Sequence, residues 1–140
     1  MAKIYLAGGW FNKKQEERIS VAEKTLRALG HEVFSPRENQ HEEHEFGTEA
    51  WRTATFNGDI DAIDWADVLF AIYDEEDAGT MMEVGYAYAT DTTIVLFNES
   101  EKVVNLMLSD SCFAYLQTWS DVEQYDFNEP VRVPFDGEVL

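Results

Sequence analysis

Short apolar runs that alternate with longer helical stretches predict a doubly wound α/β fold: a parallel five-stranded sheet in a flavodoxin-like or Rossmann-like three-layer sandwich. Three observations carry this. "VLFAIY", Val68–Tyr73, is apolar without alternation, as in a strand covered on both faces. Each strand-like run leads into a stretch of helical spacing, and strands joined by helices run parallel with right-handed crossovers. Finally, 140 residues, 45% of them hydrophobic, suffice for one core without disulfides and are too few for two, so 1–140 reads as a single domain.

In chain order, Lys3–Ala7 ("KIYLA") is the first strand, broken by Gly8 and Gly9, and a polar helix follows from about Lys14 to Leu29, stopped by Gly30. "HEVFS", His31–Ser35, is a second strand that ends before Pro36. The polar stretch on to Thr48 is a loop long enough to suspect a function. A helix from Glu49 to about Ala66 precedes the central strand Val68–Tyr73, and a helix within "EEDAGTMMEVGYAYA" (Glu75–Ala89) follows it. Then come a strand at Thr92–Phe97, a helix around Val103–Ser111, a last strand and helix between Phe113 and Tyr125, and an extended tail from Pro130.

A net charge of -18, from 28 acidic against 10 basic residues, repels DNA, RNA and anionic lipid. No nucleic-acid polymer and no membrane is therefore an expected partner. Cys112 is alone, the start "MAKIYLAGG" lacks the layout of a signal peptide, and no apolar run nears the roughly 20 residues that cross a bilayer. A cytoplasmic protein is expected.

In sheets of this kind a ligand lies beyond the carboxyl ends of the strands, where strand order reverses, here between the first and third strands. That rule selects "AGGWF" (Ala7–Phe11) and "YDEEDAG" (Tyr73–Gly79). Gly8 and Gly9 permit a tight turn or close approach by a ligand, and Trp10 and Phe11 offer flat apolar surface; a plain glycine turn backed by two core aromatics fits them equally. Neither a dinucleotide fingerprint nor a phosphate loop is present.

Glu83 shares a helical face with Gly79, Thr80, Tyr86 and Ala87, small neighbours that leave room around a carboxylate. A lone Glu on a helix is usually solvated. This helix begins at the expected crevice, though, and its positive end would help keep the carboxylate ionised, making Glu83 a candidate nucleophile. Asp59 falls on one side of its helix with Thr55, Ala62 and Ile63, whereas Asp61 points nearly opposite; an acidic surface is the competing reading for both. His41 and His44 lie among Glu42, Glu43 and Glu45, but in a loop without the rest of a ligand set, so no metal is expected. Asp77 is expected to cap the following helix.

Five segments in order, "IYLAGGWF" (Ile4–Phe11), "ENQ" (Glu38–Gln40), "WRTATFNGDI" (Trp51–Ile60), "DEEDAGTMMEVGYA" (Asp74–Ala87) and "NLM" (Asn105–Met107), span most of the chain. Together they resemble the nucleoside 2-deoxyribosyltransferase family, close to the lactic-acid-bacterial type that accepts purines and pyrimidines. The resemblance implies that Glu83 attacks the anomeric carbon and that Tyr5 positions it by a hydrogen bond. It further implies that Asp59 and Gln40 meet the base, that Asp77 contacts the sugar hydroxyls, and that Asn105 contacts the 5'-hydroxyl from a neighbouring subunit. Trp10, Phe11 and Trp51 would line the pocket beside Gly8.

The implied activity moves 2-deoxyribose between nucleobases by a retaining double displacement through a covalent Glu83 intermediate, with Asp59 as general acid and then base. Substrates would be 2'-deoxynucleosides and free nucleobases, with no cofactor and no metal, in a homo-oligomer built from dimers and up to a hexamer. Two rivals use the same fold: an N-hydrolase that passes the sugar to water, and a non-catalytic nucleotide-sensing module. A hydrolase of 5'-phosphates needs phosphate donors where this crevice offers acids. Leu140 stands where relatives of this type often end on an aromatic residue, and Met81–Met82 replaces a smaller, Gly-containing segment.

Overall fold

The computed structural model describes residues 1–74, 76–100 and 103–140. Five parallel strands, β1 (Lys3–Ala7), β2 (Glu32–Phe34), β3 (Val68–Ile72), β4 (Thr93–Phe97) and β6 (Ala114–Leu116), lie in the order β2-β1-β3-β4-β6. A short β5 (Val103–Val104) stands outside this sheet. The connections run through α1 (Lys13–Ala28), α2 (Glu49–Trp65), α3 (Ala78–Ala89) and α4 (Leu106–Ser109), and α5 (Trp119–Gln124) follows β6. This is the doubly wound sandwich, with the flavodoxin-like order.

Because side chains alternate across a strand, the sheet splits the core in two. Ile4, Leu6, Phe70, Ile72, Val95 and Phe97 face α1 and α5 through Ile19, Ala22, Leu26 and Val122. Tyr5, Ala7, Leu69, Ala71, Ile94 and Leu96 face α2, α3 and α4 through Ala62, Ile63, Val84, Ala87 and Leu108. The register sets Tyr5 opposite Leu69, so the Tyr5 side chain rises on the α2–α3 side.

Each long helix begins on a side-chain cap. The Asn12 side chain accepts from the Gln15 N–H, Thr48 from Trp51 and Asp77 from Thr80. Gly30, at φ 92°, takes the left-handed turn that ends α1. Gly8 is required for a different reason: a Cβ there would stand 2.7 Å from Ile19 Cδ1, so its absence lets α1 pack onto the end of β1.

One element differs from expectation. Instead of a helix over Val103–Ser111, Val103 and Val104 pair in parallel with β7 (Glu138–Val139), and the helix is confined to Leu106–Ser109. The two β-branched valines suit a strand, and the Asn105 side chain, accepting from the Met107 N–H, starts the helix only after them. The extended tail is thereby tied down: the Leu140 N–H donates to Val104 O, and the Leu106 N–H to Leu140 O. Elsewhere the elements lie within a residue or two of their expected ends. Among the described residues no helix is long and apolar enough to cross a membrane.

Candidate active site

The carboxyl ends of β1 and β3 open into a cavity of about 350 Å³. Its walls come from four places: Gly8, Gly9, Trp10 and Phe11 from the turn after β1, Pro36 after β2, Asp59 from α2, and Asp77 and Glu83 from the cap and second turn of α3. A larger hollow of about 530 Å³ lies between α3 and α4 and a shallower one of about 830 Å³ beside Trp51. The smallest of the three is the candidate on chemical grounds, since it alone has two carboxyls of raised pKa.

Tyr5 is fully buried, and Phe34 stacks on its ring at 5.7 Å between centroids. That packing fixes the ring, and its hydroxyl donates to Oε2 of the cavity residue Glu83. Burial, then the charges of Glu83 and Asp59, push the Tyr5 phenol far above its ordinary value, so it is a permanent donor.

Glu83 rises to about 7, chiefly because burial disfavours its charge; the Tyr5 hydrogen bond opposes the rise and the neighbouring Asp59 and Asp77 add to it. The expectation that the helix end keeps Glu83 ionised is thus corrected. Glu83 is the sixth residue of α3, beyond the first turn where the helix end acts, and desolvation wins. Asp59 is half-buried and rises to about 6, again through burial, with His41 pulling the other way. The site therefore holds two carboxyls that exchange protons near neutrality.

Asp77 lines the cavity while capping α3, accepting from the Thr80 N–H at 3.0 Å and the Thr80 hydroxyl at 2.7 Å, both through Oδ2. Phe11 is 84% exposed at the mouth. Gln40 is exposed, with its side-chain amide donating to Arg37 O at 2.6 Å and its backbone carbonyl accepting from the Trp51 indole at 3.1 Å. Trp51 packs on Phe46 and lines the neighbouring hollow that also reaches Asp59. Asn105 is not among the walls of Glu83's cavity; it lines the hollow between α3 and α4 with Met81, Val84, Tyr88 and Met107.

Sequence reasoning did not single out Pro36, Phe56 or Ile60 as cavity walls, whereas Met82, noted for its bulk beside Glu83, is one of them. Phe56 could have been found, since it lies three residues before Asp59 on the same helix. His41, at φ 54°, sets its ring against Gly58, with Nε2 3.0 Å from where a Gly58 Cβ would stand, beside Asp59. Among the described residues, no basic side chain lines the cavity.

Residues 4–131 match the family model described as Nucleoside 2-deoxyribosyltransferase. A nucleoside deoxyribosyltransferase of Limosilactobacillus fermentum is 34% identical over 152 aligned positions, covering 95% of this chain and 90% of its own. The structure of a 2-deoxyribosyltransferase from the psychrotolerant Bacillus psychrosaccharolyticus superposes with a TM-score of 0.93 at 46% identity, over 96% of this chain and all (100%) of that one. A CMP N-glycosidase of Clostridium botulinum superposes at 0.58 with 23% identity, over 86% and 94% of the two chains, a likeness of fold alone.

Proposed function

The chain belongs to the nucleoside 2-deoxyribosyltransferase family and is an enzyme of that kind, and from this premise we propose that one domain spanning 1–140 exchanges nucleobases on 2-deoxyribose through a covalent 2-deoxyribosyl-Glu83 ester. The observation that carries the reading is the buried Tyr5 hydroxyl donating to Glu83, which lines one cavity with Asp59. In the first step a Glu83 carboxylate oxygen attacks C1', the C1'–N bond breaks with oxocarbenium character, and the departing base takes the proton of Asp59. In the second, a nitrogen of the incoming base attacks C1', Glu83 leaves as carboxylate and Asp59 recovers a proton. Two inversions give retention.

The Tyr5 hydrogen bond matters because one proton must sit on Asp59 and not on Glu83. A donor aimed at Glu83 stabilises its charged form and works toward that arrangement; burial still leaves Glu83 at about 7 against about 6 for Asp59, so in the empty site the productive placement is the minor form of the one-proton pair. Asp77, whose bonds to Thr80 use only Oδ2, would offer Oδ1 to a sugar hydroxyl. Purines and pyrimidines would both enter between Trp10, Phe11 and Phe56, and with no lysine or arginine on the described walls, unphosphorylated nucleosides suit the site better than 5'-phosphates.

The test is thymidine with and without adenine, followed by chromatography. Deoxyadenosine formed only when adenine is present is the expected result. Thymine released at the same rate in both, with no deoxyadenosine, would make the chain a hydrolase, and binding without turnover would make it a sensor.

The pH dependence follows from the pair. The productive state has Glu83 ionised and Asp59 protonated, one proton on the two carboxyls. As pH falls below about 6 both become protonated and attack is lost; as it rises past about 7 both ionise and the leaving base has no acid. A bell-shaped kcat/KM with its maximum near pH 6 to 7 is expected between pH 4.5 and 9, and a flat profile would separate the chemistry from this pair.

We further propose a homo-oligomer built from dimers, in which Asn105 serves a neighbour's site. Its support is that Asn105 lies outside the cavity of its own Glu83, in an apolar hollow whose Met107 is 76% exposed and Tyr88 63% exposed. Dissociating and mixing Asn105→Ala with Glu83→Ala, each inactive alone, should restore part of the activity in mixed assemblies, because some sites would draw both intact residues from different copies. No recovery, or a particle of 16.1 kDa by light scattering, would refute the arrangement.

A further inference from the structure

Arg18 lies in α1, a helix none of whose residues lines the cavity, yet its guanidinium bonds to Asp74 and Glu99, which stand just beyond the carboxyl ends of β3 and β4. Nη1 donates to Asp74 Oδ2 at 2.5 Å and Nε to Glu99 Oε1 at 2.9 Å, with the Arg18 side chain only 7% exposed and Asp74 18%. Asp74 stands just after β3 and three residues before Asp77, which begins α3, the helix of Glu83. Within the same stripe of α1, Gln15 Oε1 accepts from the Phe11 N–H at 2.8 Å, so the inner face of this helix anchors the turns on either side of the crevice.

A guanidinium this far from water is retained only where geometry and charge compensate its desolvation, and here two carboxylates do so. In a chain of net charge -18, its removal would leave Asp74 half-buried among other acids and drive the loop outward. We propose that Arg18 is a positioning residue: by holding Asp74 it sets where Asp77 and the start of α3 meet the sugar, and so governs donor affinity. The inference rests on the reading of Asp77 as a sugar contact given above.

The experiment compares kcat and KM for base exchange in the wild type, Arg18→Met, Arg18→Lys, Asp77→Asn and the double variant Arg18→Met/Asp77→Asn. Arg18→Met should raise the donor KM about tenfold and change kcat by less than about threefold, the split expected when binding and not chemistry is lost. Lys, which keeps the charge but cannot fork to two carboxylates, should recover part of the affinity. If Arg18 works through Asp77, then in the Asp77→Asn background the Arg18→Met change should raise KM by less than about twofold, since coupled residues are not additive.

Equal multiplicative losses in both backgrounds, or a lower Tm with unchanged KM, would overturn the proposal. Should Arg18→Met fail to fold, Asp74→Asn, which leaves Arg18 bonded to Glu99, must show the same KM effect or the proposal falls. A wild type without exchange activity would sink the functional reading, and an unchanged KM in Asp77→Asn the reading of Asp77. Failure of Arg18 alone looks different: Asp77→Asn raises KM while Arg18→Met does not.

Discussion

Glu83→Ala is expected to lose base exchange by about 10⁴-fold or more, because a covalent mechanism without its nucleophile has no second route of similar ease. The variant also leaves the buried Tyr5 hydroxyl without its acceptor, a cost of about 1–3 kcal/mol that could be mistaken for the catalytic effect. Glu83→Gln separates the two. Its amide oxygen can still accept from Tyr5 but cannot attack C1', so it should be as inactive as Ala while keeping more stability. Steady-state rates, with thermal denaturation of both variants at one pH, give the comparison. A Gln variant with more than about a hundredth of wild-type exchange would exclude the nucleophilic role.

Asp59→Asn should cost about 10²- to 10⁴-fold on ordinary donors, the usual worth of a placed general acid. The more informative quantity is the dependence on the leaving base. A base that departs readily as an anion, such as a 5-halogenated uracil, needs no proton, so the variant's deficit should shrink on that donor. The alkaline limb of its pH profile should also flatten, since that limb reports loss of the one proton the two carboxyls share. A deficit equal for all donors would mean that Asp59 shapes the pocket and transfers no proton.

Much of the fold could be read from the chain because the strands announce themselves. Val68–Ile72 and Thr93–Phe97 are apolar on both faces, and only a strand between two helical layers needs that. The β5–β7 ladder could not be foreseen: its strands have two residues each and are 34 positions apart or more, so no local period marks them. At the site, the smallness of the residues around Glu83 foretold a cavity, but not how dry its floor is. Dryness arises from Phe34 covering Tyr5 and from α2 closing over β1, contacts made far apart in sequence. The support layer was visible in part. Gln15, Arg18, Ile19, Ala22 and Leu26 form one helical stripe, and the polar members of a stripe otherwise apolar ask for buried partners; which partners depends on loops no pattern places.

The raised pKa of Glu83 has a consequence for the molecule as an object that must stay folded. A carboxyl that titrates near 4.5 in the unfolded chain and at about 7 in the folded one contributes its full share of stability below about 4.5, and loses it as pH climbs through about 7. At alkaline pH the empty enzyme thus gives up as much as about 3 kcal/mol to keep that charge indoors. An ester between Glu83 and the sugar is neutral at any pH, and forming it removes the charge. If the proposed ester forms, the fold would be relieved of this charge halfway through the reaction, and at alkaline pH would carry it while waiting for the next nucleoside.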